Sequence, residues 1–387
     1  MTSTADVIII GAGVQGIGLA FHLAKAGAGS IVVLEKKHVA AGPTAKSGAM
    51  IRPLFSQEIY IRLVLEATRA FEHWDHVYGG DPGFVQKGFF RITDTLDVDR
   101  LGGDLQLMQR LGVPFQRVPH NDLSLYSPSS EFRGDETGLL LTKSGYADPI
   151  KTTNSLAAAA IRCGVVIKEG VRVTGIEVCG GQVQAVTTDA GRIATKLIVN
   201  CAGAWSDRVA AMVGVTLPIA IHRIPTTLYH RPLSLRDEGP ILSDGVNQVY
   251  VRASGDSFLR AAAFGWSHDP VDPDLYDETI SRKQHDSLRT LVDRRCTAMR
   301  KTPSAGGFAA IYDMTPDAHP IVGPIGDVAG FWCNCGWSGN GFASGPIVGR
   351  HLAAQILHGE SEIDLSPFAW PRVGDLTPRP DLAWVSR

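Results

Sequence analysis

The chain has 387 residues, 44% of them hydrophobic and 20% charged, which is typical of a globular protein with a sizeable core and excludes a disordered, collagenous or coiled-coil chain. The 37 Lys and Arg residues nearly balance the 39 Asp and Glu residues, so the formal net charge of −2 creates no field that would attract nucleic acid or an anionic lipid surface. At roughly 150 residues per domain, this length predicts two domains.

The chain carries no sequence signal for membrane insertion or export. No window approaches about 18 uninterrupted apolar residues, so no membrane span is predicted. The first residues have neither a basic start nor a small-residue cleavage site. The six cysteines are too sparse for a disulfide scaffold, and none lies in a Cys-x-x-Cys pair. A cytoplasmic location is therefore expected.

The first 35 residues have the pattern of a dinucleotide-binding unit. The apolar run Asp6–Ile10 predicts a buried strand, and Gly11-Ala-Gly-Val-Gln-Gly16 follows it directly. Apolar residues then recur at helical spacing from Ile17 to Lys25, and a second buried strand, Ser30–Leu34, ends at Glu35. A Gly-x-Gly-x-x-Gly turn is weak evidence by itself, but the two strands, the helix and the acid together predict a dinucleotide site.

Each residue of this pattern has a physical role in such a site. Gly11 permits the tight turn, Gly13 lets the backbone approach a pyrophosphate, and Gly16 lets the helix pack closely on the strand. The helix N-terminus offers N–H groups and a positive dipole end to phosphates. Glu35 accepts hydrogen bonds from the adenosine ribose. The lysines at 36–37 could suggest a 2′-phosphate, but Glu35 would repel it, so solvated charges are the favoured interpretation.

Apolar periodicity and turn residues predict alternating helices and short strands in the remainder of the chain. Helices are predicted at Gln57–Val77, Val98–Leu111, Ser155–Cys163, Ser281–Met299 and Gly345–Leu357. Strands are predicted at Phe84–Thr93, in a hairpin between Gln182 and Thr195, at Lys196–Asn200, at Gly330–Cys335 and, as an antiparallel sheet, within Ile219–Phe264. The small, Gly-containing segment Ala41–Pro53 predicts a loop lying against a flat ligand.

Glycine-containing segments in which a strand is followed by a helix, as in nucleotide-binding domains, occur at both ends and in the middle of the chain. They predict a discontinuous domain. The predicted fold class is α/β, with a Rossmann-like nucleotide-binding domain and an inserted α+β substrate domain that contains an antiparallel sheet. The nucleotide-binding domain is placed at residues 1–85, 146–215 and 318–387, and the substrate domain at 86–145 and 216–317.

Three other constellations favour less specific interpretations. His73 and His76 lie three residues apart on a predicted helix without a third ligand, so no metal site is predicted. The segment beginning at Gly336, Gly-Trp-Ser-Gly-Asn, lacks the last glycine of a hydrolase nucleophile turn. Cys333 and Cys335 could form a redox pair, although two buried side chains on a strand are favoured.

Four motifs in this order resemble the D-amino-acid-oxidase superfamily of FAD enzymes. They are the N-terminal glycine turn, Asn200-Cys-Ala-Gly-Ala-Trp-Ser206, Thr315-Pro-Asp-Ala-His-Pro-Ile-Val-Gly323 and Gly336-Trp-Ser-Gly-Asn-Gly341. Within the superfamily, the chain is most similar to sarcosine oxidases, glycine oxidase and the β-subunits of dye-linked amino-acid and opine dehydrogenases. The resemblance covers roughly residues 1–360.

The resemblance implies FAD as cofactor and a binding residue at each matching position. The ADP part is assigned to Gly11, Gly13, Val14, Gln15, Gly16, Glu35 and Lys36, with Val171 and Val173 beside the adenine. The pyrophosphate and ribityl chain are assigned to Ala202, Gly203 and Trp205. The isoalloxazine is assigned to Ser47, Gly48 and Ala49, and its O2/N1 edge to Gly336, Ser338, Gly339, Asn340 and Gly341. Backbone N–H groups at that edge would stabilise the negative charge that develops on reduction.

The chain departs from the family pattern at three places. Ala310 stands where some sarcosine oxidases carry the cysteine that attaches the flavin, and no attaching histidine is found near Asp148, so FAD is predicted to be noncovalent. Ala343 replaces a lysine that helps to hold the substrate carboxylate. Arg52 is left as the predicted carboxylate clamp, and sarcosine itself is disfavoured as a substrate.

The resemblance implies oxidation of the C–N bond of an amino acid or secondary amine. A neutral amine delivers a hydride from its α-carbon to flavin N5, and water hydrolyses the imine. Arg52 would bind the carboxylate bidentately, and Tyr250 and Tyr312 would hydrogen-bond the carboxylate or the amine. Arg260, which shares an antiparallel stretch with Arg252, lies near the position of a relative's oxygen-activating lysine.

Two alternatives remain open. A flavoprotein of this fold could oxidise a 2-hydroxy acid with a histidine base, for which His222, His268 and His319 are candidates. The chain could also be an FAD-binding subunit that is active only in a hetero-oligomer, which the alanines at 310 and 343 favour. The small-molecule substrate, the acceptor (oxygen or a carrier) and the homo- or hetero-oligomeric state are not defined by the sequence.

Overall fold

The computed structural model describes residues 3–94, 102–235, 239–264 and 270–372. The helices are α1 Val14–Lys25, α2 Glu58–Glu72, α3 Trp74–Val77, α4 Gly102–Arg110, α5 Leu123–Tyr126, α6 Pro149–Arg162, α7 Ser206–Ala211, α8 Arg282–Arg295 and α9 Gly341–His358. The strands of the first half are β1 Ser3–Thr4, β2 Val7–Ile10, β3 Ile31–Leu34, β4 Met50–Ile51, β5 Phe89–Asp94, β6 Phe115–Val118, β7 Glu136–Leu141, β8 Gly145–Tyr146, β9 Val166–Lys168 and β10 Val173–Cys179. Those of the second half are β11 Gln182–Thr188, β12 Gly191–Ala194, β13 Ile198–Asn200, β14 Ala220–His230, β15 Ile241–Asp244, β16 Val249–Ser254, β17 Phe258–Ala263, β18 Ser304–Met314, β19 Ile321–Pro324 and β20 Phe331–Cys335.

A six-stranded sheet forms the nucleotide-type half of the fold, in the order β19-β20-β13-β2-β3-β9. Its strands are parallel except for the β19–β20 pair. All four residues of β2 and of β3 are buried, as expected for apolar strands covered on both faces. Segments from the start, middle and end of the chain meet in this sheet. The Rossmann-like part of the predicted fold is thereby confirmed.

Helix α9 begins at Gly341, whereas the sequence predicted a start at Gly345. The glycines that resemble turn residues in the sequence instead allow α1 and α9 to pack closely. A Cβ built on Gly18 would lie 2.4 Å from the carbonyl oxygen of Gly345, and one on Gly349 would lie 2.4 Å from the Leu19 nitrogen. A tertiary contact therefore overrides the local helix-breaking tendency of glycine.

The second large sheet has eight strands in the order β18-β14-β17-β16-β15-β5-β7-β6. The strands predicted within Ile219–Phe264 pair antiparallel, as expected, and the sheet as a whole is mixed because β15 also runs parallel to β5. These two strands are distant in sequence, so local alternation carries no information on their relative direction. Helix α8 covers one face of this sheet, where Leu288 and Val292 are buried. The opposite face is left for the candidate site.

A buried ion cluster ties α8 to this sheet. The Arg295 guanidinium lies 2.7 Å from a Glu136 oxygen and 2.6 Å from an Asp244 oxygen, and all three side chains are at most 3% exposed. Burial alone would lower the pKa of Arg295, but the two carboxylates outweigh it and raise the pKa. The arginine compensates both carboxylates away from water, so removing it would leave two buried carboxylates without their shared cation.

Several predicted boundaries differ from the structure. The helix predicted over 57–77 ends at Glu72 and is followed by the single turn α3, and the strand predicted from Phe84 begins at Phe89. The start of the helix predicted at Val98 lies outside the described residues. The predicted hairpin is confirmed as β11 and β12, in a four-stranded sheet of order β1-β12-β11-β10. Within the described ranges, no helix is both long and apolar enough to cross a membrane. The division into two domains and the cytoplasmic location stay predictions.

Candidate functional site

A long cavity begins at the glycine turn between β2 and α1. Gly11 has φ +109°, and a Cβ there would lie 2.4 Å from the Cys201 carbonyl oxygen. A Cβ on Gly16 would lie 2.0 Å from the carbonyl oxygen of Gly11. Both positions therefore exclude any other residue. The turn brings bare backbone to the cavity wall, as the approach of a pyrophosphate requires.

The acid predicted to bind ribose lies on the same wall. One carboxylate oxygen of Glu35 accepts the N–H of Ala12 at 3.0 Å, and the other accepts the N–H of Lys37 at 2.9 Å. Each carboxylate oxygen can accept a further hydrogen bond, so these contacts orient the group and leave acceptor capacity for a sugar hydroxyl. Thr44 supplies an additional contact, since its hydroxyl oxygen accepts the Val14 N–H at 3.3 Å. Thr44 borders the cavity and was not singled out from the sequence.

The cavity brings together most of the residues predicted to bind the cofactor. Those that border it are Gly11, Gly13, Val14, Gln15, Glu35, Lys36, Ser47, Val171, Val173, Ala202, Gly203, Trp205, Gly339 and Gly341, with Tyr312 from the predicted catalytic set. In the described part of the chain, the predicted residues that do not border it are Gly16, Gly48, Ala49, Gly336, Ser338, Asn340, Arg52, Tyr250 and Arg260. The individual binding roles stay predictions.

Gln15 has a structural task as well as a place on the cavity wall. Its side chain donates to the Gly341 carbonyl oxygen at 2.7 Å and accepts from the Asn334 amide at 3.0 Å. The residue therefore links α1 to the start of α9 and to β20. These two bonds fix the orientation of its amide, which keeps one N–H and one lone pair for a ligand.

Asp313 anchors the loop that precedes α9 through hydrogen bonds. The Asp313 carboxylate accepts the Gly336 N–H at 2.8 Å, and its backbone carbonyl accepts the Ser338 N–H at 3.1 Å. The Ser338 side chain points into the protein, where its hydroxyl oxygen accepts the Thr315 N–H at 3.2 Å. Burial inside the protein raises the pKa of Asp313 to about 6, against the opposing effect of the backbone N–H groups. Sequence reasoning missed Asp313, although an acid within the apolar run of β18 was a usable signal.

Asp274 borders the cavity at its rim and lies within residues 271–278, which we call the rim segment. Asp274 in this segment accepts from Lys36 at 2.8 Å, from the Trp205 indole N–H at 2.9 Å and from Arg208 at 2.6 Å. The Lys36 ammonium also lies 3.5 Å from the centre of a Trp205 ring. A second anchor is Lys46, which donates to the Tyr276 hydroxyl at 2.8 Å. The rim segment was not recognised in the sequence because its partners are all distant.

The free face of the eight-stranded sheet carries the predicted catalytic residues. Successive side chains of a strand alternate between faces, and paired residues share a face. Tyr250 and Arg252 lie two residues apart on β16 and therefore share a face, and Arg252 is paired with Arg260 on β17. On β18, Tyr312 is paired with His222 of β14. Tyr250, Arg260 and Tyr312 are thus brought to one side of the sheet.

Arg52 joins this group from the loop after β4. It is 5% exposed, donates to the Leu54 carbonyl oxygen at 3.0 Å, and has its guanidinium carbon 5.2 Å from the Phe55 ring centre. The pKa of Tyr312 is raised by burial and then by Tyr250, while the positive charges of Arg260 and Arg52 act in the opposite direction. The four residues predicted to be catalytic are therefore within electrostatic range of one another.

Arg260 also fixes the loop predicted to border the isoalloxazine. One of its terminal nitrogens donates to the Ser47 carbonyl oxygen at 2.6 Å, and the other donates to that of Lys46. A Cβ on the next residue, Gly48, would lie 3.2 Å from the Tyr250 hydroxyl oxygen. Arg260 and Tyr250 thus hold or contact consecutive residues of one loop. We therefore expect Arg260 to act at least partly as a positioning residue.

The structure also locates the histidines proposed as bases and the cysteines proposed as a redox pair. His319 is engaged through its Nε2 with Gln57 at 2.7 Å, and burial lowers its pKa, whereas His268 lies outside the described residues. Cys333 and Cys335 are free, buried thiols on β20. The pKa of Cys335 is raised well above its usual value, mainly by a hydrogen bond with Cys333 and secondly by burial. This disfavours the reactive thiolate.

These observations fit FAD. The turn at Gly11 and Gly16 is a cradle that a Cβ would fill, Glu35 is oriented at a helix N-terminus, and Val171 and Val173 provide an apolar wall further along the cavity. Such a sequence of contacts suits a diphosphate, a ribose and an adenine in that order. Tyr312 and the loop of residues 336–341 also border the cavity and would hold the flavin part of the cofactor.

Comparison with known proteins supports this interpretation. The mitochondrial sarcosine dehydrogenase of Mus musculus is 27% identical over 387 residues, covering 95% of this chain and 41% of that protein. The glycine oxidase of Geobacillus kaustophilus is 22% identical over 382 residues, covering 96% of this chain and 98% of that protein. The chain spans less than half the length of mammalian sarcosine and dimethylglycine dehydrogenases, 41 to 45%.

The fold and the family agree with the sequence resemblance. The crystal structure of L-proline dehydrogenase from P. horikoshii superposes with a TM-score of 0.88 at 22% identity, covering 95% of this chain and 97% of that one, which confirms the fold. A family model described as FAD dependent oxidoreductase (DAO) matches residues 6–355. That match covers most of the chain, so the protein belongs to the DAO family of FAD-dependent oxidoreductases.

Proposed function

We propose that the protein oxidises the C–N bond of an amino acid or a secondary amine that carries a carboxylate. The observation that carries the proposal is the convergence of Arg52, Tyr250 and Tyr312 beside the loop predicted to border the flavin. When bound, FAD supplies the two-electron acceptor for the hydride that leaves the α-carbon. The sarcosine dehydrogenase and glycine oxidase among its relatives act on substrates of this class by their names.

Arg52 binds the substrate carboxylate in this proposal. The residue is 5% exposed and its guanidinium is flanked by aromatic rings, with Phe89 centred 5.5 Å away, so water competes weakly for an anion placed there. A charge-assisted, bidentate pair fixes both the position and the orientation of the substrate. The α-carbon is then directed to one place above the cofactor cavity.

Tyr312 and the nearby arginines determine which groups of the site are protonated. A tyrosine phenol is protonated at neutral pH, and burial raises the pKa of Tyr312 further, so in this proposal it donates a hydrogen bond to the substrate. The positive charges of Arg52 and Arg260 disfavour a protonated amine, because like charges in a buried site repel. The substrate nitrogen is therefore held neutral, with its lone pair available to assist loss of the hydride.

Noncovalent binding of FAD is part of the proposal. Ala310 has no nucleophilic side chain, and Asp148 caps helix α6 by accepting the Ile150 and Lys151 N–H groups at 2.9 Å. Neither position offers an atom that could attach to the isoalloxazine. Acid precipitation of the holoprotein should release all yellow colour into the supernatant. Colour that remains with the precipitated protein would contradict noncovalent binding.

Anaerobic reduction of the flavin tests the function directly. A panel of N-methyl, D- and cyclic amino acids is mixed with the wild type, with Arg52→Ala and with a control, Arg282→Ala, whose side chain is 95% exposed. We expect amino acids to bleach the flavin, with apparent affinity reduced about tenfold or more in Arg52→Ala, since hydrogen bonds to charged groups are worth about 1.5–3 kcal/mol. An Arg52→Ala variant with unchanged reduction rate and affinity would rule out the carboxylate clamp.

The same panel distinguishes the two alternatives. His222 lies opposite Tyr312 and is 9% exposed, so it is the described histidine best placed to serve a 2-hydroxy acid oxidase. Bleaching by hydroxy acids, but not by amines, would favour that reaction. Bleaching only after a partner chain is added would identify a dependent subunit. Reoxidation with oxygen or with an artificial carrier then separates an oxidase from a dehydrogenase.

A further inference from the structure

Two buried arginines face each other across strands β16 and β17. Arg252 and Arg260 are register partners and are each 6% exposed. In the described part of the chain, no carboxylate forms an ion pair with either of them. Two like charges held side by side away from water repel each other and lose hydration, so the pair is destabilising unless an anion joins it.

The hydrogen bonds of the two guanidinium groups are incomplete. Arg252 donates to the Ala253 carbonyl oxygen and lies 4.7 Å from the Tyr146 ring centre, and Arg260 donates to the carbonyl oxygens of residues 46–47. The Nε–H of each arginine is buried and has no acceptor. A buried charged donor without an acceptor is rare in folded proteins, and two of them side by side indicate a missing anionic partner.

The electrostatic surroundings support this interpretation. Burial, and then the charge of Arg260, lower the pKa of Arg252 to about 10, so it remains charged at neutral pH. The carboxylate that acts on it most is Asp148, which is already committed to capping helix α6. The other groups that face Arg252 are the phenols of Tyr250 and Tyr146. None of these groups neutralises the two guanidinium charges.

The pair lies at the same end of the sheet face as the proposed carboxylate clamp. Extending the register of β15 and β16 places Arg252 in the cross-strand row that contains Phe89, and the Arg52 guanidinium lies over the Phe89 ring at 5.5 Å. Tyr250 lies between these groups and the loop that borders the cofactor cavity. A ligand held by Arg52 would therefore extend along the sheet toward Arg252.

We propose that Arg252 and Arg260 form a second anion subsite, and that the substrate is an amino acid or secondary amine with two acidic groups. The inference rests on the proposed function, in which Arg52 holds the α-carboxylate. Arg252 contacts the second acidic group, and Arg260 adds charge while it holds the loop. Specificity then follows from the buried cations, because a substrate without the second anion leaves them unpaired.

Binding of unreactive anions tests the subsite without turnover. Holoprotein is titrated with acetate, malonate, succinate and glutarate, and the perturbation of the flavin absorption spectrum reports binding. Wild type should bind the best dicarboxylate at least tenfold more tightly than acetate. Arg252→Met should abolish that preference, Arg252→Lys should keep part of it, and Arg282→Met should keep all of it. Flavin content and thermal midpoint verify that each variant is folded.

Flavin reduction completes the test. Iminodiacetate and N-methylaspartate should reduce the flavin at lower concentrations than N-methylglycine, and Arg252→Met should remove this advantage. Equal affinity for mono- and dicarboxylates in the wild type, or a preference that survives in Arg252→Met, would overturn the second subsite. If no amine reduces the flavin although dicarboxylates still bind through Arg252, the proposed function is wrong while the subsite stands.

Discussion

The rim segment makes a prediction about retention of the cofactor. Asp274 joins residues 271–278 to the cavity wall through Lys36, Arg208 and Trp205, at distances of 2.6 to 2.9 Å. The Lys36, Arg208 and Asp274 side chains are 17%, 42% and 38% exposed, so solvent screens the ion pairs. At about 0.5 kcal/mol for each of the three contacts, Asp274→Ala should weaken closure of the rim by roughly 1–2 kcal/mol. That corresponds to about a five- to thirty-fold loss of FAD affinity.

Titration of apoprotein with FAD, followed by quenching of flavin fluorescence, measures this effect. The loss should come mainly from faster dissociation and should shrink at high salt, which screens exposed ion pairs. Asp256→Ala is the matched control, since Asp256 is an exposed acid in the turn between β16 and β17. An Asp274→Ala variant that binds and releases FAD like the wild type would refute the role of the rim segment.

Three further predictions concern the folded state. Gly16→Ala places a Cβ 2.0 Å from the Gly11 carbonyl oxygen, so it should reduce FAD content or soluble yield, which absorbance spectra of the purified variant measure. Arg295→Gln leaves the Glu136 and Asp244 carboxylates buried without their shared cation and should lower the free energy of unfolding by roughly 3–5 kcal/mol in urea titrations, whereas an unchanged value would contradict the buried cluster. The pKa of Asp313 is raised from 3.8 to about 6, so the folded state binds this proton more tightly than the unfolded state. The free energy of unfolding of the apoprotein should therefore fall by roughly 3 kcal/mol as the pH rises from about 4 to 6. Asp313→Asn should remove that dependence.

The N-terminal unit could be predicted because its constraints are local. A short apolar strand, a glycine turn and an amphipathic helix each leave a pattern within a few residues. The same holds for helix α8, whose start at Arg282 follows a capping box between Ser281 and Gln284. The cavity wall at Glu35 follows from this unit, since the end of β3 lies beside that of β2.

The parts that could not be predicted depend on contacts between distant segments. The start of α9 at Gly341 is stabilised by packing against α1, for which Gly345 provides room, and no local pattern distinguishes a packing glycine from a turn glycine. The parallel pairing of β15 with β5, and the approach of Asp274 to Lys36, join residues far apart in the chain. Sequence reasoning therefore identified many residues of the cavity wall and named Arg252 and Arg260, but it identified neither the rim segment nor the pairing of these two cations across β16 and β17.

Stoichiometric uptake of FAD by the purified apoprotein is the most direct test of the central claim. We predict that one equivalent of FAD per chain restores a flavin absorption spectrum and raises the thermal midpoint, and that Gly11→Ala, whose Cβ would lie 2.4 Å from the Cys201 carbonyl oxygen, fails to do so. A folded wild-type protein that stays colourless after incubation with FAD would contradict the account.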